Sequence, residues 1–183
     1  MGKKIFIKEP KVSQFLFANT RAAWFWLIVR LYVGYSWLTA GIGKVGASSW
    51  AGEEAGTSVR GFVTGALTKT AGEHPDVQAW YGWFLETVVL PNADVFSYLV
   101  AYGEVLVGVA LIIGLFTGIA TFFGMFMNTS FLLAGTVSMN PILFILSIGL
   151  LLAWRVAGYI GLDRWVLPAL GTPWQAKVQV VDK

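Results

Sequence analysis

Three polar side chains stand inside stretches of sequence that are otherwise apolar: Arg30, Glu104 and Asn128. An ionised or strongly polar group in a membrane interior is costly, so each is a candidate for function. Counted at about 1.5 Å per residue from the same edge of the apolar layer, they lie roughly 13, 18 and 15 Å deep. Similar depths on three segments predict one internal cluster, with Arg30 and Glu104 as an ion pair and Asn128 as a bridge.

Two roles for this cluster stay open. In one, the cluster binds a ligand or moves a proton. In the other, the buried pair only fixes which helices become neighbours. Polar contacts inside membranes contribute about 0.6 kcal/mol on average, so stabilisation alone is a weak reason to bury two charges.

Three further residues are candidates for a binding role, namely Tyr102, Lys44 and Arg155. Tyr102 lies two residues before Glu104 and could join the cluster. Lys44 ends the first apolar stretch, and Arg155 lies in the inner half of the last one. For both cations the alternative is a long side chain that simply reaches the membrane surface. Arg155 could also meet Asp163.

The elements that must position these residues are four apolar stretches close to the roughly 20 residues that cross a bilayer. Backbone amides in hydrocarbon must be paired within their own segment, which favours helices. We therefore predict an all-α integral membrane four-helix bundle that forms a single membrane domain over residues 1–183. The predicted spans are residues 22–43, 95–116, 119–137 and 141–160.

The predicted outer segment, residues 47–94, separates spans one and two and is acidic on balance. Two helical spacings of apolar residues, from Val59 to Leu67 and from Val77 to Val88, predict amphipathic helices that lie on the membrane surface or cap the bundle. Lysine and arginine concentrate near both termini, so the positive-inside rule predicts a cell-membrane protein with a cytoplasmic N-terminus and a cytoplasmic tail over residues 161–183.

Composition narrows the function classes. Hydrophobic residues make up 56% of the 183 residues and charged ones only 13%, with a net charge of +3. The lack of a basic run in a polar segment argues against nucleic-acid binding. There is no cysteine and one histidine. We therefore expect no metal, haem or iron–sulfur cluster, and any redox chemistry needs a bound cofactor or a partner.

Several short motifs, in their order and spacing, resemble the DoxX/DoxD membrane-protein family. They occur in all four predicted spans. The motifs are RLYVG at 30–34, AGIGK at 40–44, GE at 103–104, GLFT at 114–117, LAGTVSMNP at 133–141 and AGYIGLDRW at 157–165.

This resemblance implies a thiosulfate:quinone oxidoreductase large subunit that works with a small partner subunit and passes electrons to membrane quinone. On that reading Glu104 handles protons, Arg30 holds a quinone oxygen or an anion, and Asn128 orients either one. Tyr102, Lys44 and Arg155 complete the predicted binding set, with Lys44 attracting thiosulfate from outside.

Other family members imply a second hypothesis, in which the chain is a non-catalytic scaffold that recruits redox or stress-protective proteins through its outer helices and tryptophans. A third is a carrier of small molecules or ions, which four unbroken spans make less favourable unless the chain forms a homo-oligomer.

Overall fold

The computed structural model describes residues 9–171, and within them every regular element is helical. The all-α prediction is therefore confirmed for this part of the chain. The last residues of the predicted cytoplasmic tail lie outside the described range. The helices are α1 (Lys11–Ala18), α2 (Ala23–Val45), α3 (Ser48–Ala51), α4 (Thr57–Leu67), α5 (Ala79–Phe84), α6 (Ala93–Ile113), α7 (Thr117–Leu133), α8 (Asn140–Leu152), α9 (Trp154–Ala157) and α10 (Asp163–Ala169).

Among residues 9–171, two helices are long and apolar enough to cross a membrane. The first is α2 with the 3₁₀ turn before it, which together form 26 residues from Thr20 to Val45. The second comprises α5, α6 and the turns between them, 35 residues from Ala79 to Ile113. Helices α7 and α8 are apolar but have only 17 and 13 residues. The crossing of a bilayer by all four therefore stays a prediction.

The second long helix corrects the predicted boundary of the outer segment. An amphipathic helix ending near Val88 was expected to be separate from a span that begins at residue 95. The structure instead joins them through a π-helical turn, Leu85–Val89, and a 3₁₀ turn, Leu90–Asn92. Pro91 has no backbone N–H to donate, and these two local changes of helical pitch accommodate it without ending the helix.

The predicted fourth span is also interrupted. Helix α8 ends at Leu152, and α9 begins two residues later and covers one turn. Residues up to 160 were expected in one helix. Helix α9 itself ends at Ala157, and the carbonyl of Ala157 becomes an acceptor for a side chain described below.

The four longest helices contact one another in a closed ring, in which α2 touches α6 and α8 while α7 touches α6 and α8. Trp26, Val33, Trp37, Leu111 and Leu150 are buried at its centre. The outer segment folds onto the beginning of α6 and forms a second core. Its apolar residues include Val59, Val63, Ala66, Val77, Tyr81 and Leu85.

Glycines set the distance between α2 and α6. A Cβ atom added at Gly108 would lie 2.5 Å from the backbone nitrogen of Leu38, and one added at Gly41 would lie 2.6 Å from that of Val105. Neither backbone has room for a methyl group. The crossing therefore depends on small residues, as close helix pairs in membranes do.

Gly108→Ala is expected to lower the free energy of unfolding by about 2 kcal/mol, because the added methyl group pushes α2 away from α6. Gly43→Ala is the matched control, since it lies on α2 with nothing within 4 Å of its added Cβ. Thermal unfolding of both variants in detergent measures the difference. Equal stability of the two would mean that the α2–α6 contact is looser than described.

Candidate functional site

Within residues 9–171, one ion pair is present, and it joins Lys44 to Glu104. The Lys44 Nζ atom lies 2.6 Å from Oε2 of Glu104. Glu104 is 1% exposed and the Lys44 side chain 22% exposed. The Trp50 ring lies 5.2 Å from the same Nζ atom. The alternative that Lys44 only reaches the surface is wrong, because its charge compensates a buried carboxylate.

Arg30 does not pair with Glu104, and this corrects the predicted cluster. Its guanidinium is buried and donates hydrogen bonds of 2.9 Å to the Ala157 carbonyl and 2.7 Å to the Ile160 carbonyl. A Cβ atom at Gly114 or Gly161 would overlap the guanidinium. The two carbonyl oxygens carry partial negative charge, and the Asp163 carboxylate is close enough to attract the guanidinium electrostatically, although the two groups form no ion pair. Arg30 therefore joins α2 to α9.

Asp163 holds the turn between α6 and α7, a role that the sequence analysis missed. Its carboxylate accepts hydrogen bonds from the backbone N–H groups of Phe116, at 2.6 Å, and Thr117, at 2.9 Å. Its own N–H donates to the Gly114 carbonyl at 2.8 Å. Phe116 has a φ of 49°, in the left-handed region. The sequence signal was an acidic residue directly after an apolar stretch, which was considered only as a partner for Arg155.

Asn128 is buried, as expected, but the predicted bridge to Arg30 and Glu104 is absent from the hydrogen bonds of the described residues. Its Oδ1 atom has no hydrogen-bond partner among them, and neither does Nε1 of Trp37. The Trp37 Nε1 atom lies 3.1 Å from a Cβ built on Gly124, one helical turn before Asn128. The Asn128 acceptor on α7 therefore lies one helical turn from the point where the buried Trp37 donor of α2 contacts α7.

Tyr102 and Arg155 lie on the outside of the helices. The Tyr102 side chain is 47% exposed and stacks on Tyr98, with ring centroids 6.2 Å apart. Arg155 is exposed and lies 5.6 Å from the centroid of Trp154. The suggested contact of Arg155 with Asp163 is not among the ion pairs of the described residues. Neither side chain joins Glu104.

The residues that were predicted to form one cluster therefore lie at separate positions along the helices. Arg30 and Asp163 lie at one end of the four longest helices. This end contains the start of α2, the α6–α7 turn, α9 and α10, and we call it the terminal end. Lys44 and Glu104 lie toward the opposite end. Glu104 precedes the Gly114 turn by 10 residues of α6, or roughly 15 Å along the helix axis.

An apolar cleft of about 370 Å³ opens at the terminal end, between α7, the end of α8, the start of α9 and α10. Asp163 and Thr117 contribute its polar groups. The Thr117 side chain is fully buried, and its Oγ1 atom has no partner among the described residues. The remaining lining residues are Phe116, Gly118, Ile119, Phe122, Phe123, Leu151, Trp154 and Leu167.

This cleft suits a flat, apolar molecule with a hydrogen-bonding group. Sites for small molecules are typically concave and apolar, with a few placed polar groups.

Across the described part of the chain, no group of three or more histidine, cysteine or acidic residues could hold a metal ion.

Comparison with known proteins gives one match. A family model described as DoxX matches residues 25–140. These residues include all but the first two residues of α2, together with the outer segment, α6 and α7. No curated protein and no solved structure matches the chain.

Proposed function

The chain belongs to the DoxX family of membrane proteins, and on that premise we propose that it is the quinone-binding membrane subunit of a redox system. The observation that carries the proposal is the cleft at the terminal end. It is lined almost entirely by apolar and aromatic side chains, and its wall includes Thr117, whose buried hydroxyl has no hydrogen-bond partner among the described residues.

The proposed topology has four spans and both termini in the cytoplasm. Its support is an apolar exterior, since each of the four longest helices exposes large apolar side chains such as Ile28, Leu106, Phe126 and Ile145. A continuous apolar surface of this kind is unusual in water. Basic residues near the termini favour the cytoplasmic side for the terminal end, where the cleft lies.

The lining residues fit the headgroup of a quinone. Phe122 and Trp154 offer aromatic faces, against which a planar ring packs favourably. The Thr117 side chain is 0% exposed, so its hydroxyl would have to turn toward the cleft to donate a hydrogen bond to a quinone carbonyl, which would satisfy a buried donor. Asp163 positions Thr117 by holding its backbone N–H. The isoprenoid tail would leave along the exposed faces of Phe122 and Phe123.

A bound quinone supplies an acceptor for two electrons and two protons. The donor that we propose is thiosulfate, of which two ions lose one electron each and join as tetrathionate. The described residues hold no second cation beside Lys44, whose charge Glu104 already compensates. A small partner subunit is therefore the better candidate for holding the anion, and Lys44 and Glu104 serve to stabilise the helix pair.

Binding of a short-chain quinone tests the proposal. Thr117→Val is expected to weaken decylubiquinone binding about fivefold, the effect of losing one hydrogen bond to the ligand. Leu151→Trp should abolish binding by filling the cleft. Thr121→Val is the control, since its hydroxyl bonds to the Thr117 carbonyl and does not line the cleft. Isothermal calorimetry in detergent gives each dissociation constant.

Unchanged affinity in Thr117→Val and Leu151→Trp would exclude this cleft as the quinone site. The electron donor is tested separately, by adding thiosulfate to quinone-loaded protein with and without a candidate small subunit. We expect quinone reduction only with the subunit. If quinone binds but is not reduced in either mixture, the cleft remains the proposed quinone site and thiosulfate is excluded as the electron donor.

The second candidate function is a non-catalytic scaffold, favoured by the exposed rings of Trp80 and Trp83 on α5. Under that hypothesis, Trp80→Ala with Trp83→Ala removes partner recruitment, whereas Thr117→Val leaves it intact. The opposite pattern supports the quinone site. Co-purification from membranes with quantitative mass spectrometry separates the two outcomes.

A further inference from the structure

A second cleft, of about 580 Å³, lies at the terminal end between the start of the first long helix and residues 159–165, which include the first turn of α10. The geometry points to this cleft as a binding site for the phosphate headgroup of an anionic phospholipid. Arg21 and Arg164 provide its charge. The other lining residues are Thr20, Trp24, Tyr159, Ile160, Gly161 and Trp165.

Arg164 is held in place by aromatic rings. Its guanidinium carbon lies 5.0 Å from the centroid of Tyr159 and 5.9 Å from that of Trp165. Attraction to the two rings favours positions of the guanidinium beside the cleft, and a guanidinium that lies over a ring can still donate from its N–H edges. Those edges match two oxygens of a phosphate, a geometry that lysine does not offer.

Within residues 9–171, the positive charge of the cleft is not compensated by an ion pair. No carboxylate of residues 9–171 forms an ion pair with Arg21 or Arg164. The carboxylate nearest in sequence, that of Asp163, accepts hydrogen bonds from Phe116 and Thr117 instead. Two exposed guanidinium groups beside one cleft, with no ion pair among the described residues, are available to bind an anion.

The position of the cleft selects a lipid over a soluble anion. The first apolar helix begins at Thr20, so Arg21 lies where a membrane-crossing helix enters the hydrocarbon. Trp24 and Trp165 are 68% and 63% exposed, and tryptophan concentrates at the level of lipid headgroups. A phospholipid can therefore place its phosphate between the two arginines and its acyl chains against the apolar face that continues from Trp24.

Native mass spectrometry of the full chain tests this inference, with phosphatidylglycerol and phosphatidylcholine titrated into detergent micelles. We expect the protein to retain phosphatidylglycerol in preference to phosphatidylcholine. Arg21→Gln and Arg164→Gln should each lower that affinity about fivefold, the effect of one interfacial cation. Arg155→Gln is the matched control, because it is exposed beside α9 yet outside the cleft.

Each other outcome overturns the inference. Equal losses in Arg155→Gln and Arg164→Gln would mean attraction by general surface charge. Displacement of phosphatidylglycerol by millimolar inorganic phosphate would mean a site for a soluble anion. Retained affinity in both cleft variants would mean that the lipid binds elsewhere. All three variants change exposed side chains, and thermal unfolding without added lipid checks that they remain folded.

Discussion

Lys44→Met is expected to lower the free energy of unfolding by about 3–5 kcal/mol, because it leaves the Glu104 carboxylate buried without a cation. Glu104 is 1% exposed, and its bond to Lys44 is 2.6 Å long. Methionine keeps most of the length of the lysine side chain, so little packing is lost. Equilibrium unfolding in mixed micelles measures the change.

A double-mutant cycle identifies the cause. Lys44→Met combined with Glu104→Gln should recover most of the loss, since the uncompensated charge is gone. Lys11→Met controls for charge alone, because Lys11 is exposed on α1. Strictly additive effects of the two substitutions would contradict the pairing of Lys44 with Glu104.

Asp163→Ala is the second large effect that we expect, a loss of about 3 kcal/mol or more. The carboxylate accepts two backbone hydrogen bonds at the α6–α7 turn, and bonds to charged groups contribute about 1.5–3 kcal/mol each. Its removal leaves the N–H groups of Phe116 and Thr117 without that acceptor. It also releases Phe116 from its left-handed conformation.

Thermal unfolding of Asp163→Ala measures this loss, with Asp94→Ala as the control. Asp94 is exposed in the first turn of α6, where a carboxylate contributes about 0.3–1 kcal/mol. Similar melting temperatures for the two variants would mean that Asp163 does not hold the turn. Quinone affinity should also fall in Asp163→Ala, because Thr117 loses its fixed position.

The cost of placing polar groups in contact with lipid correctly predicted that the three side chains face the protein interior, but the partners predicted for them were wrong. Arg30, Glu104 and Asn128 are each 1% exposed, as the argument from membrane depth requires. Depth alone does not give direction, however. Side chains on a helix lean toward its N-terminus, and α2 and α6 run in opposite directions. Arg30 therefore leans toward the terminal end and Glu104 away from it, so the two charges diverge.

Two other features could not be predicted from the sequence, namely the carbonyl groups that bind Arg30 and the cleft beside Thr117. The carbonyls of Ala157 and Ile160 are available to Arg30 because the helical structure of the last apolar stretch ends at Ala157, and hydropathy does not show that end. The cleft at Thr117 forms where α7, α8 and α10 meet, so it depends on long-range packing. The long apolar helices, in contrast, follow directly from hydropathy and length.

Photolabelling with an azido-quinone in proteoliposomes tests the central claim most directly, since it reports where the ring binds. We predict cross-links within residues 116–123 or at Trp154, with labelling reduced in Thr117→Val and unchanged in Thr121→Val. Cross-links concentrated around Glu104 or Asn128, with no effect of Thr117→Val, would contradict the claim that quinone occupies the cleft at the terminal end.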